Sequence, residues 1–122
     1  MKFLLIMHVN PAIMEELTEA ERQEIMEGHG EFMKTLRESG EMISTEALAD
    51  PSQSSVVRVR DGVPVVTDGP YLEAKEFLGG YYLVDVASRD RALELAAMIP
   101  DARFNGLGIE IRQVIFSAGP TA

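Results

Sequence analysis

Two histidines, His8 and His29, are the only imidazoles in this 122-residue chain, which has no cysteine. Imidazole is the side chain whose ordinary pKa lies closest to neutrality, so these positions come first as candidates for proton transfer. His29 stands between Gly28 and Gly30 on an apolar stripe, and His8 interrupts an apolar run near the start. Asp68 opens Asp68-Gly69-Pro70, directly after a strand-like segment. A carboxylate that fixes an imidazole's tautomer and stabilises its protonated form makes that imidazole a general base. His29 and Asp68 are therefore the expected catalytic pair, meeting in space rather than in sequence. Each has a plainer reading. An inward-facing histidine can be a core residue whose nitrogens are satisfied by backbone or a tyrosine. An Asp before Gly-Pro can simply build its turn.

Other groups could hold a ligand. Glu73 and Lys75 follow in the same loop as Asp68 and suit charged contacts to a polar small molecule. Arg58 shares a hairpin face with Arg60 and could meet a carboxylate, although edge-strand charges also discourage aggregation. Tyr81 adds an aromatic ring and a hydroxyl. The exclusions are firmer. Without cysteine there is no thiolate zinc site, disulfide framework or cysteine nucleophile. The two histidines lack the spacing of a helical metal pair, Gly79-Gly80 is not a phosphate loop, and no Ser sits in G-x-S-x-G. No cofactor signature is present. A haem reading would need an iron-ligating histidine in a roomy pocket. Elimination or isomerisation by acid–base transfer needs no cofactor.

These residues must be positioned by a short series of elements. Lys2 to Val9 reads as a strand apolar on both faces, hence covered on both. Asn10 to Leu17 is a turn with a short helical piece. Thr18 and Glu21 match a capping box that opens the main helix. Its stripe of Ile25, Met26, Phe32, Met33 and Leu36 is expected to be buried, and Gly40 ends it. Met42 to Leu48 is a weaker strand. Val56 to Arg60 and Val63 to Thr67 flank Asp61-Gly62 as a hairpin. Leu78 to Val86 is the next strand. Ser88 caps a second helix that buries Ala92, Leu95, Ala96 and Ile99 before Pro100, and Ile109 to Phe116 is the last strand. The order is β-α-β, a hairpin, then β-α-β, which matches a split β-α-β sheet with two helices on one face. The other face would be bare in a monomer, so two sheets packed face to face in a homodimer are expected.

Composition sets the outer bounds. The formal charge is −9 and 46% of residues are hydrophobic, which suits one domain spanning residues 1–122 with an ordinary core. The acidic balance argues against a nucleic-acid partner. No apolar run approaches the roughly 20 residues of a membrane span. The start is too soon interrupted by His8 and Asn10 to be a signal peptide, so a cytoplasmic location is expected.

The run VTDGPYLEAKEFLGGYYLVDV, residues 66–86, resembles the signature of the YCII-related superfamily, and specifically of its DGPF-domain branch. Asp68, Gly69, Pro70, Glu73, Lys75, Glu76, Leu78, Gly79, Gly80 and Tyr81 fall in place, and Tyr71 stands where Phe is usual. The resemblance covers nearly the whole chain. It implies an α+β, ferredoxin-like fold with an antiparallel sheet that dimerises as an α+β barrel, with a pocket between sheet and helices. It also implies a His on the first long helix and an Asp after the hairpin as a catalytic pair, at His29 and Asp68. One relative is a dehydrochlorinase acting on a chlorinated aromatic, and some members look associated with sigma-factor regulation. Two functions follow as expectations: a small cofactor-independent acid–base enzyme, or a non-catalytic ligand-binding or regulatory module on the same dimer.

Overall fold

The structure is a computed structural model that describes residues 1–72 and 74–120. Four strands form one antiparallel sheet: β1 (Lys2–Val9), β2 (Met42–Ala47), β5 (Phe77–Asp85) and β6 (Gly108–Gln113), ordered β2-β5-β1-β6. That order and polarity are consistent with the split β-α-β arrangement expected of the ferredoxin-like fold. Among the described residues, strands β3 (Ser55–Arg60) and β4 (Val63–Asp68) pair only with each other, as a separate hairpin. Its turn residues Asp61 and Gly62 have φ of 52° and 77°. Both are left-handed, as a two-residue hairpin turn whose twist matches its strands requires.

Strand alternation gives the sheet two faces, although Ile6 on the side away from the helices is buried too. Phe3, Leu5 and Met7 of β1, with Tyr82 and Val84 of β5, face the helices and are buried. Three helices follow from local signals. Asn10 Oδ1 accepts from Ala12 N and opens α1 (Pro11–Glu16). Thr18 and Glu21 complete the capping box of α2 (Glu19–Ser39), and Gly40 closes it at φ 76°. Ser88 caps α3 (Arg89–Met98), whose Ala92, Leu95 and Ala96 enter the core with Ile99. The stripe of α2 differs from expectation at one residue. Met26 is 69% exposed, because the helix turns Phe32 and Leu36 inward with His29 one turn before them. At about 100° per residue, Met26 lies roughly 120° round the helix from Phe32 and roughly 80° from Leu36, off the side they bury.

Two glycine positions explain how the site's elements come together. A Cβ at Gly80 would stand 2.6 Å from the Glu46 carbonyl oxygen, so only glycine lets β2 lie this close to β5. A Cβ at Gly28 would stand 2.9 Å from Cβ and Cγ of Pro100. Here α2 meets the 3-10 turn Pro100–Arg103 that follows α3. No membrane-length apolar helix occurs among the described residues.

Candidate functional site

The close approach at Gly28 brings Asp101 beside His29. His29 Nε2 lies 2.8 Å from Asp101 Oδ1, and Nδ1 lies 2.7 Å from the Tyr82 hydroxyl. A carboxylate accepts, so Nε2–H donates to Asp101 and the bare Nδ1 accepts from the Tyr82 O–H. That arrangement pairs all three groups. Asp101 is 5% exposed and Tyr82 2%. Burial, and then the Asp101 charge, push the Tyr82 hydroxyl up to about 12. Phe32 packs edge-on against the Tyr82 ring, fixing its position. The His29 side chain retains 21% exposure.

Asp68 is elsewhere. It ends β4, is exposed, and accepts a long 3.5 Å contact from Ser55 Oγ. Gly69 follows at φ 107° and donates its N–H to the Ser54 carbonyl, so the Asp-Gly-Pro segment closes the hairpin's base. No hydrogen bond joins His29 to Asp68 among the described residues, since both ring nitrogens are engaged by other partners. The partner that sequence reasoning missed is Asp101. Its signal was weak: it follows Pro100 in a loop, and nothing local marks it as buried.

The remaining ligand-contact candidates are dispersed. The Arg58 guanidinium lies over the Tyr71 ring, 5.2 Å from its centroid. Lys75 is exposed in the connection before β5, and Glu73 lies outside the described residues. Tyr81 points to the sheet face away from the helices and lines a trough of about 400 Å³ with Leu4, Ile43 and Leu83. His8 is on that face too, with Nε2 2.7 Å from Glu110 Oε1. Arg112 also contacts Glu110, and these two bonds hold the Glu110 carboxyl below its usual range. A group of three metal-ligating side chains does not occur among the described residues.

A cleft opens beside the Asp-Gly-Pro segment. One part, about 380 Å³, has apolar walls from Val9, Met14, Leu48 and Leu78, with Glu15, Arg22 and Asp50 at its margin. A second part, about 340 Å³, shares Leu48–Pro51 and Leu78 and adds Pro70, Tyr71 and Phe77. Arg22 is held by the end of α1, with Nη2 donating to the Met14 carbonyl at 2.8 Å. Asp50 accepts from Ser52 N, which lowers its pKa and anchors the loop after β2. The cleft's size and its apolar walls with few polar groups suit a small organic ligand. Nothing in the sequence marks Asp50 or Pro51 as a cleft residue, because a cleft made by three separate segments leaves no local pattern.

The family model described as the YCII-related domain matches residues 1–116 of this chain. The chain is also similar to an uncharacterised protein, R00369, of Rhizobium meliloti (strain 1021). The two are 26% identical over 112 residues, covering 92% of this chain and 90% of that protein.

Proposed function

The chain belongs to the YCII-related domain family, and on that footing we propose that it is a homodimeric, non-catalytic small-molecule-binding member of the DGPF branch. The observation that carries this reading is the state of His29: both ring nitrogens are committed, to Asp101 and Tyr82. In a catalytic Asp–His pair the second ring nitrogen faces a reacting group, whereas Nδ1 here faces the hydroxyl of Tyr82, a residue 2% exposed. The two-part cleft beside Asp68–Tyr71, whose lining does not include His29, supports ligand binding away from that histidine. The sheet face away from the helices, carrying the partly exposed Leu4, Tyr81 and Leu83, supports the dimer.

The test is NMR with a panel of small aromatic and carboxylic acids. A binder is expected to shift the Met14, Leu48 and Leu78 methyl signals and to leave the His29 ring unchanged. A binder that shifts the His29 ring and spares those methyls overturns the reading.

One observation favours acid–base catalysis as a second reading. The His29 side chain keeps 21% exposure, and a buried carboxylate already orients it. In that reading His29 moves the proton once a substrate displaces the Tyr82 hydroxyl, Asp101 takes the orienting role, and Asp68 contacts substrate. A His29 resonance whose titration changes in Asp68→Asn, and changes again with a bound acid, is the expected sign of it. A His29 indifferent to both removes it.

A further inference from the structure

His8 is the imidazole with a nitrogen to spare. Its Nε2–H donates to Glu110 Oε1 at 2.7 Å, since a carboxylate accepts, and Nδ1 has no hydrogen-bond partner among the described residues. His29, by contrast, has both nitrogens engaged. The His8 and Glu110 side chains keep 34% and 35% exposure, so a small solute can reach the pair. Arg112 also donates to Glu110, and the bonds from His8 and Arg112 hold the Glu110 carboxyl below its usual range. Glu110 therefore stays anionic near neutral pH, and an anion beside an imidazole favours the protonated ring.

Strand pairing puts this group at the edge of the two-part cleft. His8 lies directly opposite Leu78 of β5, and Leu78 walls both parts. Directly opposed residues share a sheet face and hold their Cβ atoms about 4.5–5.5 Å apart. Val9, next in the chain, walls the first part. On its other side His8 opposes Gly108 of β6, where an added Cβ would meet nothing within 4 Å, so the space there is open. Neither His8 nor Glu110 is among the walls of the trough around Leu4 and Leu83.

The charges select the ligand. Glu110 and Arg112 cancel, so a proton on His8 leaves one uncompensated positive charge, which matches one carboxylate. The nearest other titratable groups of this sheet face are Tyr81 and, opposite it, Glu46. Glu46 belongs to β2, two strands from β1 and hence about 10 Å away. At the cleft's other margin Arg22 donates to the Met14 carbonyl and Asp50 accepts from Ser52 N. Glu15 and Asp50 repel an anion from that margin, which leaves the His8 side for it.

We propose that the cleft takes small organic carboxylates with an apolar body, the carboxylate accepting from a protonated His8 Nδ1–H and the body lying against Leu78. Binding then takes up one proton from solvent, onto His8. This rests on the ligand-binding reading above and adds the ligand's class and the group that holds it. The two histidines give separate NMR ring signals, so His29 serves as an internal control. Saturating benzoate is expected to move the Leu48 and Leu78 methyls and to raise the His8 titration midpoint by about one unit, a tenfold gain in affinity for the protonated protein. Benzamide, its neutral isostere, is expected to leave that midpoint in place. His8→Gln, which can still donate to Glu110, is expected to stay folded by circular dichroism, to bind benzoate at least tenfold more weakly at pH 6, and to lose the pH dependence between 6 and 8. Benzoate that moves the cleft methyls while the His8 midpoint stays put, with His8→Gln binding as the wild type does, overturns the anchor and leaves the cleft standing. A His8 midpoint that rises with no cleft methyl moving overturns the link between the two. A panel of aromatic and aliphatic acids and their amides that moves neither overturns both readings.

Discussion

His29 shows how far one side chain's role depends on its partners. Its sequence setting suggests a base, and its hydrogen bonds make it the centre of a buried Asp–His–Tyr chain. Removing one end of such a chain leaves a polar atom unpaired, which costs more than the bond was worth. Tyr82→Phe takes the donor from His29 Nδ1 and is expected to cost about 1–2 kcal/mol in urea unfolding at pH 7. The same hydroxyl sets an alkaline limit. Its folded pKa, about 12, lies above the ordinary 10. Its contribution is then complete below pH 10 and lost as pH rises towards 12. Unfolding measured at pH 9 and 11.5 is expected to show a smaller fall for Tyr82→Phe than for the wild type.

At the scale of elements, contacts between helices and turns decide what a local preference achieves. Gly28 and Gly30 each cost about 1 kcal/mol against alanine inside a helix. Nothing lies within 4 Å of a Cβ at Gly30, whereas one at Gly28 meets Pro100. Gly30→Ala is expected to stabilise the protein by about 0.5–1 kcal/mol. Gly28→Ala should instead destabilise it by about 1–2 kcal/mol, since overpacking outweighs the helix gain and moves Asp101 from His29. Thermal unfolding of the pair checks both signs. A second link joins β2 to α3. Glu41 Oε1 and Oε2 accept from Arg91 Nη2 and Nε at 2.9 and 3.0 Å, and Arg91 also donates to Glu94. The Arg91 bonds hold the Glu41 carboxyl below its ordinary value of 4.5 and raise the guanidinium. Glu41's contribution is present above pH 4.5 and lost as pH falls through its lowered folded pKa. Glu41→Gln is expected to cost about 1–2 kcal/mol at neutral pH and close to nothing at pH 2, read from urea titrations at both.

For the whole molecule, the question is what covers the second sheet face. Outside the sheet, Val57, Val59, Val63, Val65 and Val66 of the hairpin and Ile115 and Phe116 after β6 are each 45% exposed or more, and exposed apolar groups of this kind often mark a surface that meets another protein. Association adds stability by mass action. The melting temperature is therefore expected to rise by several degrees between 1 and 100 µM protein, and Leu83→Glu should abolish that dependence. A melting temperature independent of concentration, with a monomer mass, would remove the dimer.

The sequence by itself determined the elements. The Thr18–Glu21 capping box, the Asp61-Gly62 turn, Ser88 and the 2- and 3.6-residue periodicities are local, and local physics settles them. It left Gly79-Gly80 as a close strand approach or a bulge, and the structure has both: Gly80 lies against the Glu46 carbonyl, and the pairing of β1 with β5 shifts between Met7 and His8. The resemblance was read from the run from Asp68 to Tyr81, and the family model spans residues 1–116. Tertiary structure alone decided the pairings. Asp101 reaches His29 across 72 residues because Gly28 admits Pro100, and Asp68 turns instead to Ser55. Tyr81 and Tyr82, adjacent in sequence, serve opposite faces of the sheet. The cleft draws on three distant segments. A residue's type limits what it can bond, but which partner arrives depends on how packed elements meet, and no local pattern encodes that.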